Sequence, residues 1–561
     1  MMAWLATALS VLSLALPMQA QAQAQSQAQA KAHPQPAEAI NLGPTDTPPS
    51  LLTVAERTAF RETARYDDVV TLLDNLAKVS PLAKRAELGK TVEGRSIPML
   101  VIADPPLAAI TGEGISDTEL AGRVVVLAFG NIHAGEVDGK EALPILARQL
   151  LLEPSLPANR AILNKIVLLV VPIYNADGNE KVAAGNRGTQ NGPEIVGVRE
   201  NSQGFDLNRD FVKLEAPETR ALVGAISRWN PVVTIDCHIT NGSYHRYIVT
   251  YAGAKLPAGD QSIIDYSRVS FFPAIAADFA DRTEYDSFWY GNFNGEWGPK
   301  AEPKQRWETF PAEARFGTNY IGLRNRLSVL VETYTYSQFE DRVRATVEFV
   351  RSTLTQTAAR ADEIRKLIAS ADRHARSPER IGEHIAIQTR ESPWKDKVTI
   401  KGFVETESEG RRKPTAEHAE YTLELWDKFE AAKSVTRPYG YAIAPGNEKA
   451  IETLRAHGLV VDPVDREMTF ETEIYTIDSA TPASRAFQGH VLVKAQATSR
   501  AERKTINAGW SLVKTTQTLG HLACYLLEPE CEDGLTTWNF FDDAMKPGAE
   551  FPVLRIMSPE L

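Results

Sequence analysis

An α/β fold, with a mixed, largely parallel sheet and helices on both faces, is the architecture predicted for the first two thirds of this sequence. Arg123–Phe129, Lys165–Val171, Pro231–Asp236 and Leu327–Glu332 are unbroken apolar runs rich in β-branched residues, the pattern of strands buried on both faces. Segments of helical spacing, such as Gly139–Leu152, separate these runs, as parallel strands require. After about Ser377 the texture changes to short alternating segments, including Lys397–Phe403 and His490–Lys494, which predict a smaller, mostly β C-terminal region.

Taken in order, the chain starts with an apolar run, Trp4–Leu16, followed by Met18-Gln19-Ala20 and a Gln-Ala repeat. A short apolar segment ending at small residues reads as an export signal over residues 1–22, although no Lys or Arg precedes it. Residues 23–53 are of low complexity and are expected to form a flexible leader. A first domain is expected over 54–376, closed by the charged helical stretch Phe339–Arg376, with the accessory β region over 377–561. The expected location is therefore outside the cytoplasm, in the periplasm or the medium. No later stretch is long and apolar enough to cross a bilayer, so stable membrane insertion is not expected.

Of the 561 residues, 43% are hydrophobic and 24% charged, a balance that allows large cores. Acidic residues exceed basic ones, 72 to 61, and the net charge of −11 argues against a nucleic-acid partner. The three cysteines are too few for a disulfide scaffold. Cys237 reads as a buried thiol, and the spacing of Cys524 and Cys531 leaves open whether they are bridged.

The chemistry gathers at strand ends. His133 and Glu136 follow the run ending at Phe129, His238 follows Asp236, and Glu332 ends its own run. In α/β sheets, ligands and catalytic groups collect beyond the carboxyl ends of the strands. A His-x-x-Glu pair alone is weak, and a lone histidine is more often not a ligand. Two histidines, a carboxylate and a place for water, however, form a standard catalytic zinc set. Glu332 at the end of a Leu-Val-Leu-Val run is costly to bury without a partner, which points to use.

Six motifs in order extend this pattern: Gly89–Arg95, Gly130–Glu136, Arg199–Asn201, Gly204–Arg209, Asp236–His238 and Val331–Thr333. Together they resemble the zinc carboxypeptidases, the carboxypeptidase A-like metallopeptidase family, over about residues 54–375. The resemblance implies one zinc ion per chain held by His133, Glu136 and His238, with Glu332 as general base. It further implies that Arg199 stabilises the oxyanion, that Asn208 and Arg209 hold the terminal carboxylate of a peptide substrate, and that Asp206 orients His133. The bland alternatives are surface ion pairs for Arg199 and Arg209 and a turn cap for Asp206.

Some positions depart from the family pattern. Asp210 stands where the family often has Asn, which is expected to alter the charge of the carboxylate pocket. The family's mobile tyrosine has three candidate positions, Phe310, Tyr320 and Tyr290. The aromatic segment Ala280–Asn319, with Trp289, Trp297 and Trp307, reads either as a substrate-covering loop or as local packing. Gly317 and Thr318 are expected to line the pocket for the last side chain, with Arg315 a candidate for favouring an acidic one. The competing functions are a zinc amidase acting on cell-wall peptides or acylated amino acids, and a non-catalytic zinc-binding protein.

Overall fold

The apolar runs become the centre of one large sheet. The computed structural model describes residues 46–107, 115–294, 304–408 and 411–559. In it, β1 (Ala83–Lys90), β2 (Ser96–Ile102), β3 (Val124–Gly130), β4 (Ile166–Val171), β5 (Val233–Thr240), β6 (Val249–Ala252), β7 (Ser287–Trp289) and β8 (Leu327–Tyr334) form an eight-stranded sheet. Their order is β1-β2-β4-β3-β5-β8-β6-β7. The four central strands β4, β3, β5 and β8 run parallel, while β2 joins β4 and β6 joins β8 antiparallel.

Every residue of β3, β4 and β5 is buried, which is why these strands read as unbroken apolar runs. Alternate side chains serve opposite faces. Val124, Val126 and Ala128 pack with the helices α1 (Tyr66–Val79), α2 (Asp138–Leu152) and, late in the chain, Phe339–Ala359. Val125, Leu127 and Phe129 pack on the other face with α3 (Pro217–Trp229) and α4 (Gly317–Leu323). Pro217 opens α3 at a position where its missing N–H costs nothing, and Asn230 in the left-handed region ends it just before β5.

The C-terminal part is mostly β, as expected. It contains the hairpin-like pair His384–Ser392 with Lys428–Thr436, the pair Val398–Ser408 with Arg411–Trp426, and a six-stranded sheet that includes Gly440–Ile443 and Val553–Ile556. It shares the core on the α3 side of the main sheet, where Leu454, Leu522 and Trp538 join Leu222 and Ile226. A buried polar chain also crosses here. Arg324 donates to the Tyr320 hydroxyl at 3.1 Å, which meets His457 Nδ1 at 2.8 Å, and His457 Nε2–H donates to the Val212 carbonyl at 3.0 Å.

The expected leader is ordered at its end: Pro49–Leu51 form a 3-10 turn, Leu51 is buried, and its carbonyl accepts from Arg148. The proposed export signal lies outside the described residues, as does Trp297. Among the described residues no helix is long and apolar enough to cross a membrane. Cys524 and Cys531 are separate buried thiols, one on the helix Gly520–Leu527 and one beyond it, and burial pushes both above the ordinary thiol range.

Candidate metal centre

The loop after β3 turns sharply enough to bring two side chains to one point. Asn131 sits in the left-handed region at φ 66°, and its amide donates to the Ala134 carbonyl at 2.9 Å. This closes the turn, so that His133 and Glu136 point the same way. The N-terminus of α2 then lies directly on β5: a Cβ added to Gly139 would fall 2.5 Å from Cys237 Cβ. Cys237 is therefore a packing residue facing the helix, and its neighbour His238 faces the opposite side, toward the loop.

His133, Glu136 and His238 are all buried and converge. His133 Nδ1 is 3.0 Å from Glu136 Oε1, His238 Nδ1 is 2.9 Å from Glu136 Oε2, and the two Nδ1 atoms are 3.2 Å apart. Each histidine rests its other nitrogen near a carboxylate: His133 Nε2 on Asp206 Oδ1 at 3.0 Å, and His238 Nε2 beside Asp236 Oδ2 at 2.9 Å. With His133 Nε2 held by Asp206, the two Nδ1 atoms and the Glu136 carboxylate face one another. Such a set calls for a cation between its members. Tetrahedral ligands about 2.0–2.1 Å from zinc would lie about 3.3 Å apart, close to these separations, so the residues fit a zinc ion.

Asp206 does two jobs at once. It caps the short turn Leu207–Arg209, accepting the Asn208 N–H at 2.9 Å, while the same oxygen meets His133. Its other oxygen accepts from Arg199 Nε at 2.9 Å. Burial would raise its pKa, but His133, Arg209 and Arg199 outweigh that and hold the carboxyl far below the usual range. Its backbone N–H donates to Gln488 of the C-terminal region at 2.7 Å, and Gly489 packs on Phe205.

Glu136 behaves similarly. Burial would raise it, but His133, Arg187 and hydrogen bonds from both histidines leave it well below the ordinary range. His238 lies well above its usual value, because Asp236 and Glu136 overcome the opposing effect of burial. Glu332 is pushed up, chiefly by burial, and the negative charges of Glu136 and Asp236 add to the effect.

These groups line a pocket of about 190 Å³ together with Arg187, Arg199, Asn208, Arg209 and Thr318. All the sequence-predicted site residues reach it or its immediate support, Asp206 being the support. Arg209 stacks on Phe316 at 4.1 Å, and Asn208 Oδ1 accepts the Gly317 N–H at 2.9 Å, leaving its NH2 as the group to offer a ligand.

Two residues were missed by sequence reading. Arg187 lies 3.0 Å from Glu136 Oε1 and stems from an irregular glycine-rich loop with no motif to mark it. Asp236 was visible within Asp236–His238, but its role behind His238 was not assigned.

Other expectations change. Asp210 is fully buried against Lys213 at 2.5 Å and accepts two backbone N–H groups, so it does not charge the pocket. Arg315 is held by Asp533 at 2.9 Å and by Glu313, so it is not available to a substrate. Tyr290 and Phe310 both line the pocket, whereas Tyr320 is buried against His457. Trp307 is fully buried against Phe293 and His245, which is local packing, and Gly317 contacts Phe211 and supports Asn208. The triad is the one metal-ligand cluster found among the described residues.

Residues 69–321 match the family model described as zinc carboxypeptidase, a span that holds the triad and ends before Glu332. Carboxypeptidase 2 of Trichophyton tonsurans is 22% identical over 484 residues, covering 83% of this chain and 81% of that protein. Carboxypeptidase D of Mus musculus is 32% identical over 173 residues, 28% of this chain and 13% of that one. Carboxypeptidase A from Helicoverpa armigera superposes with a TM-score of 0.39 at 18% identity, covering 53% of this chain and 74% of its own. Residues 69–321 thus form a zinc carboxypeptidase domain, and the protein is a zinc metallocarboxypeptidase.

Proposed function

We propose that this protein is exported and removes C-terminal residues from peptides that carry a free terminal carboxylate, using Glu332 as general base. The observation that carries the reading is one small pocket holding the half-buried Glu332 carboxylate, a buried ligand triad and the donors Arg199, Asn208 and Arg209. His133, Glu136 and His238 would hold one zinc ion per chain, which when bound supplies a Lewis acid and lowers the pKa of water to about 7.

The protein's own groups supply the rest. The Arg209 guanidinium and the Asn208 amide bind and orient the terminal carboxylate, and stacking on Phe316 fixes the plane of the guanidinium. Glu332 takes a proton from the attacking water and passes it to the nitrogen of the departing residue. Arg199, held by Asp206, donates to the carbonyl oxygen as negative charge develops there. Asp206 keeps the His133 imidazole in place, and Asp236 places a negative charge beside His238. Residues 54–376 form the catalytic part in this reading, and 377–561 brace it. The Trp4–Leu16 run supports export through a signal over 1–22.

Incubating the metal-loaded protein with an unbiased peptide pool and reading the products by mass spectrometry tests the reading. A ladder of single C-terminal losses is expected; protein with bound zinc that yields no ladder would sink it.

A further inference from the structure

A second and larger cavity, of about 510 Å³, adjoins the metal pocket, and Tyr290 lines both. Tyr290 meets Phe310 edge-to-face at 5.6 Å, and Phe310 also belongs to the metal pocket. Tyr290 is thus the wall shared by the two spaces, with Phe310 beside it on the metal side. Behind Phe310, with its ammonium 4.0 Å from the ring centroid, sits Lys255 on the cavity wall.

Lys255 differs from the other cations of this cavity. Arg268 is paired with Asp427 at 2.6 Å and stacked between Trp289 and Trp394, and Lys428 is paired with Glu430 at 2.8 Å. Lys255 is 9% exposed, bonds the Thr309 hydroxyl at 2.7 Å, and has no carboxylate within 4.0 Å among the described residues. Its backbone N–H donates to Asn319 Oδ1 at 3.1 Å, which ties it to α4, the helix whose Thr318 lines the metal pocket. Burial lowers the ammonium to about 8, so it remains largely charged at neutral pH. Asp427 and Glu391 attract it from beyond contact distance and offset only part of that effect. A desolvated cation with no carboxylate in contact is expensive to keep in a fold unless a ligand supplies the missing charge.

We propose that the side chain of the substrate's C-terminal residue passes Tyr290 into this cavity, and that Lys255 selects an acidic side chain there. The natural substrates are then peptides ending in glutamate or aspartate. This rests on the carboxypeptidase reading above and names its substrate class. The positive charge that reads the side chain is Lys255, not Arg315, which Asp533 already occupies. Glutamate gains the ion pair while isosteric glutamine does not, so the contrast isolates charge from size.

The test uses the full zinc-loaded chain and four N-blocked peptides identical except for a last residue of Glu, Gln, Leu or Lys. The parent protein is expected to favour Glu over Gln by at least about tenfold in kcat/KM, equivalent to about 1.4 kcal/mol. Lys255→Met should bring that ratio close to one, and Lys255→Glu should move the preference toward the Lys peptide. Each readout is a ratio within one preparation, so partial loss of folded protein leaves it intact. A parent Glu/Gln ratio near one, or a ratio unchanged in Lys255→Met, overturns the assignment of Lys255 while the carboxypeptidase reading stands. Failure to cleave any of the four overturns both.

Discussion

Glu332 and His238 stand in register on adjacent parallel strands, β8 and β5, so a member of the triad and the proposed base leave the sheet side by side. Their spacing is set by backbone hydrogen bonding and not by a loop. Phe129 pairs with Asp236 on the other side of β5, which places the β3 loop bearing His133 and Glu136 next in line.

This relationship separates binding from catalysis at neighbouring positions. Glu332→Gln keeps the shape and is expected to lower kcat by about 10²–10⁴-fold or more. Metal content, measured by elemental analysis after dialysis, should match the parent. A variant that loses zinc in proportion to activity would show that Glu332 acts on the metal site and not on protons.

Asp206→Asn removes the negative charge behind His133 and weakens the grip on Arg199. Metal affinity or activity should fall about 10–100-fold. Competition with a chromogenic chelator reads the affinity directly, and an affinity equal to the parent's would contradict the anchoring role.

Arg209→Ala should raise KM for free-acid peptides, with a loss of about ten- to thousandfold in kcat/KM, as expected when one partner of a desolvated charge pair is removed. The parent should also discriminate strongly against the same peptide with an amidated terminus, and the variant should not. Equal discrimination in both proteins would move the carboxylate to other donors.

Acid should unfold the protein partly through two histidines outside the metal pocket. Burial depresses both His245 and His457 to about 3, against an ordinary value of about 6.5. Between those limits the unfolded chain binds more protons than the folded one, so stability falls as pH falls, by about 1.4 kcal/mol per unit for each histidine. Urea titrations between pH 6.5 and 4.5 should show a shallower slope for His457→Gln than for the parent. An unchanged slope would mean that His457 can be protonated in the fold, despite the Arg324–Tyr320 chain that presses on its Nδ1.

The central sheet was legible because strands buried on both faces must be apolar throughout, and because ligands at strand ends follow the hydrophobic runs by only a few residues. Asp206, Asn208 and Arg209 were legible only through the Gly204–Arg209 motif and the family it resembles. Arg187 and Lys255 were not, since each acts through a contact made far along the chain, and an isolated cation in sequence carries no sign of its surroundings. Arg315 shows the same limit in reverse: its partner Asp533 lies 218 positions away and removes it from the pocket. The C-terminal region read as an accessory because its alternating segments reveal strands but not the neighbours against which they pack.

The Gln488 contact with the Asp206 backbone gives the molecule a chronology. The triad and the proposed base are synthesised before residue 333, yet the turn that steadies His133 is completed by a side chain made more than a hundred residues later. A nascent or truncated chain would thus carry all its ligands with the His133 support unfinished. In the proposed reading, zinc loading would then be a late event that waits for the segment carrying Gln488 to dock.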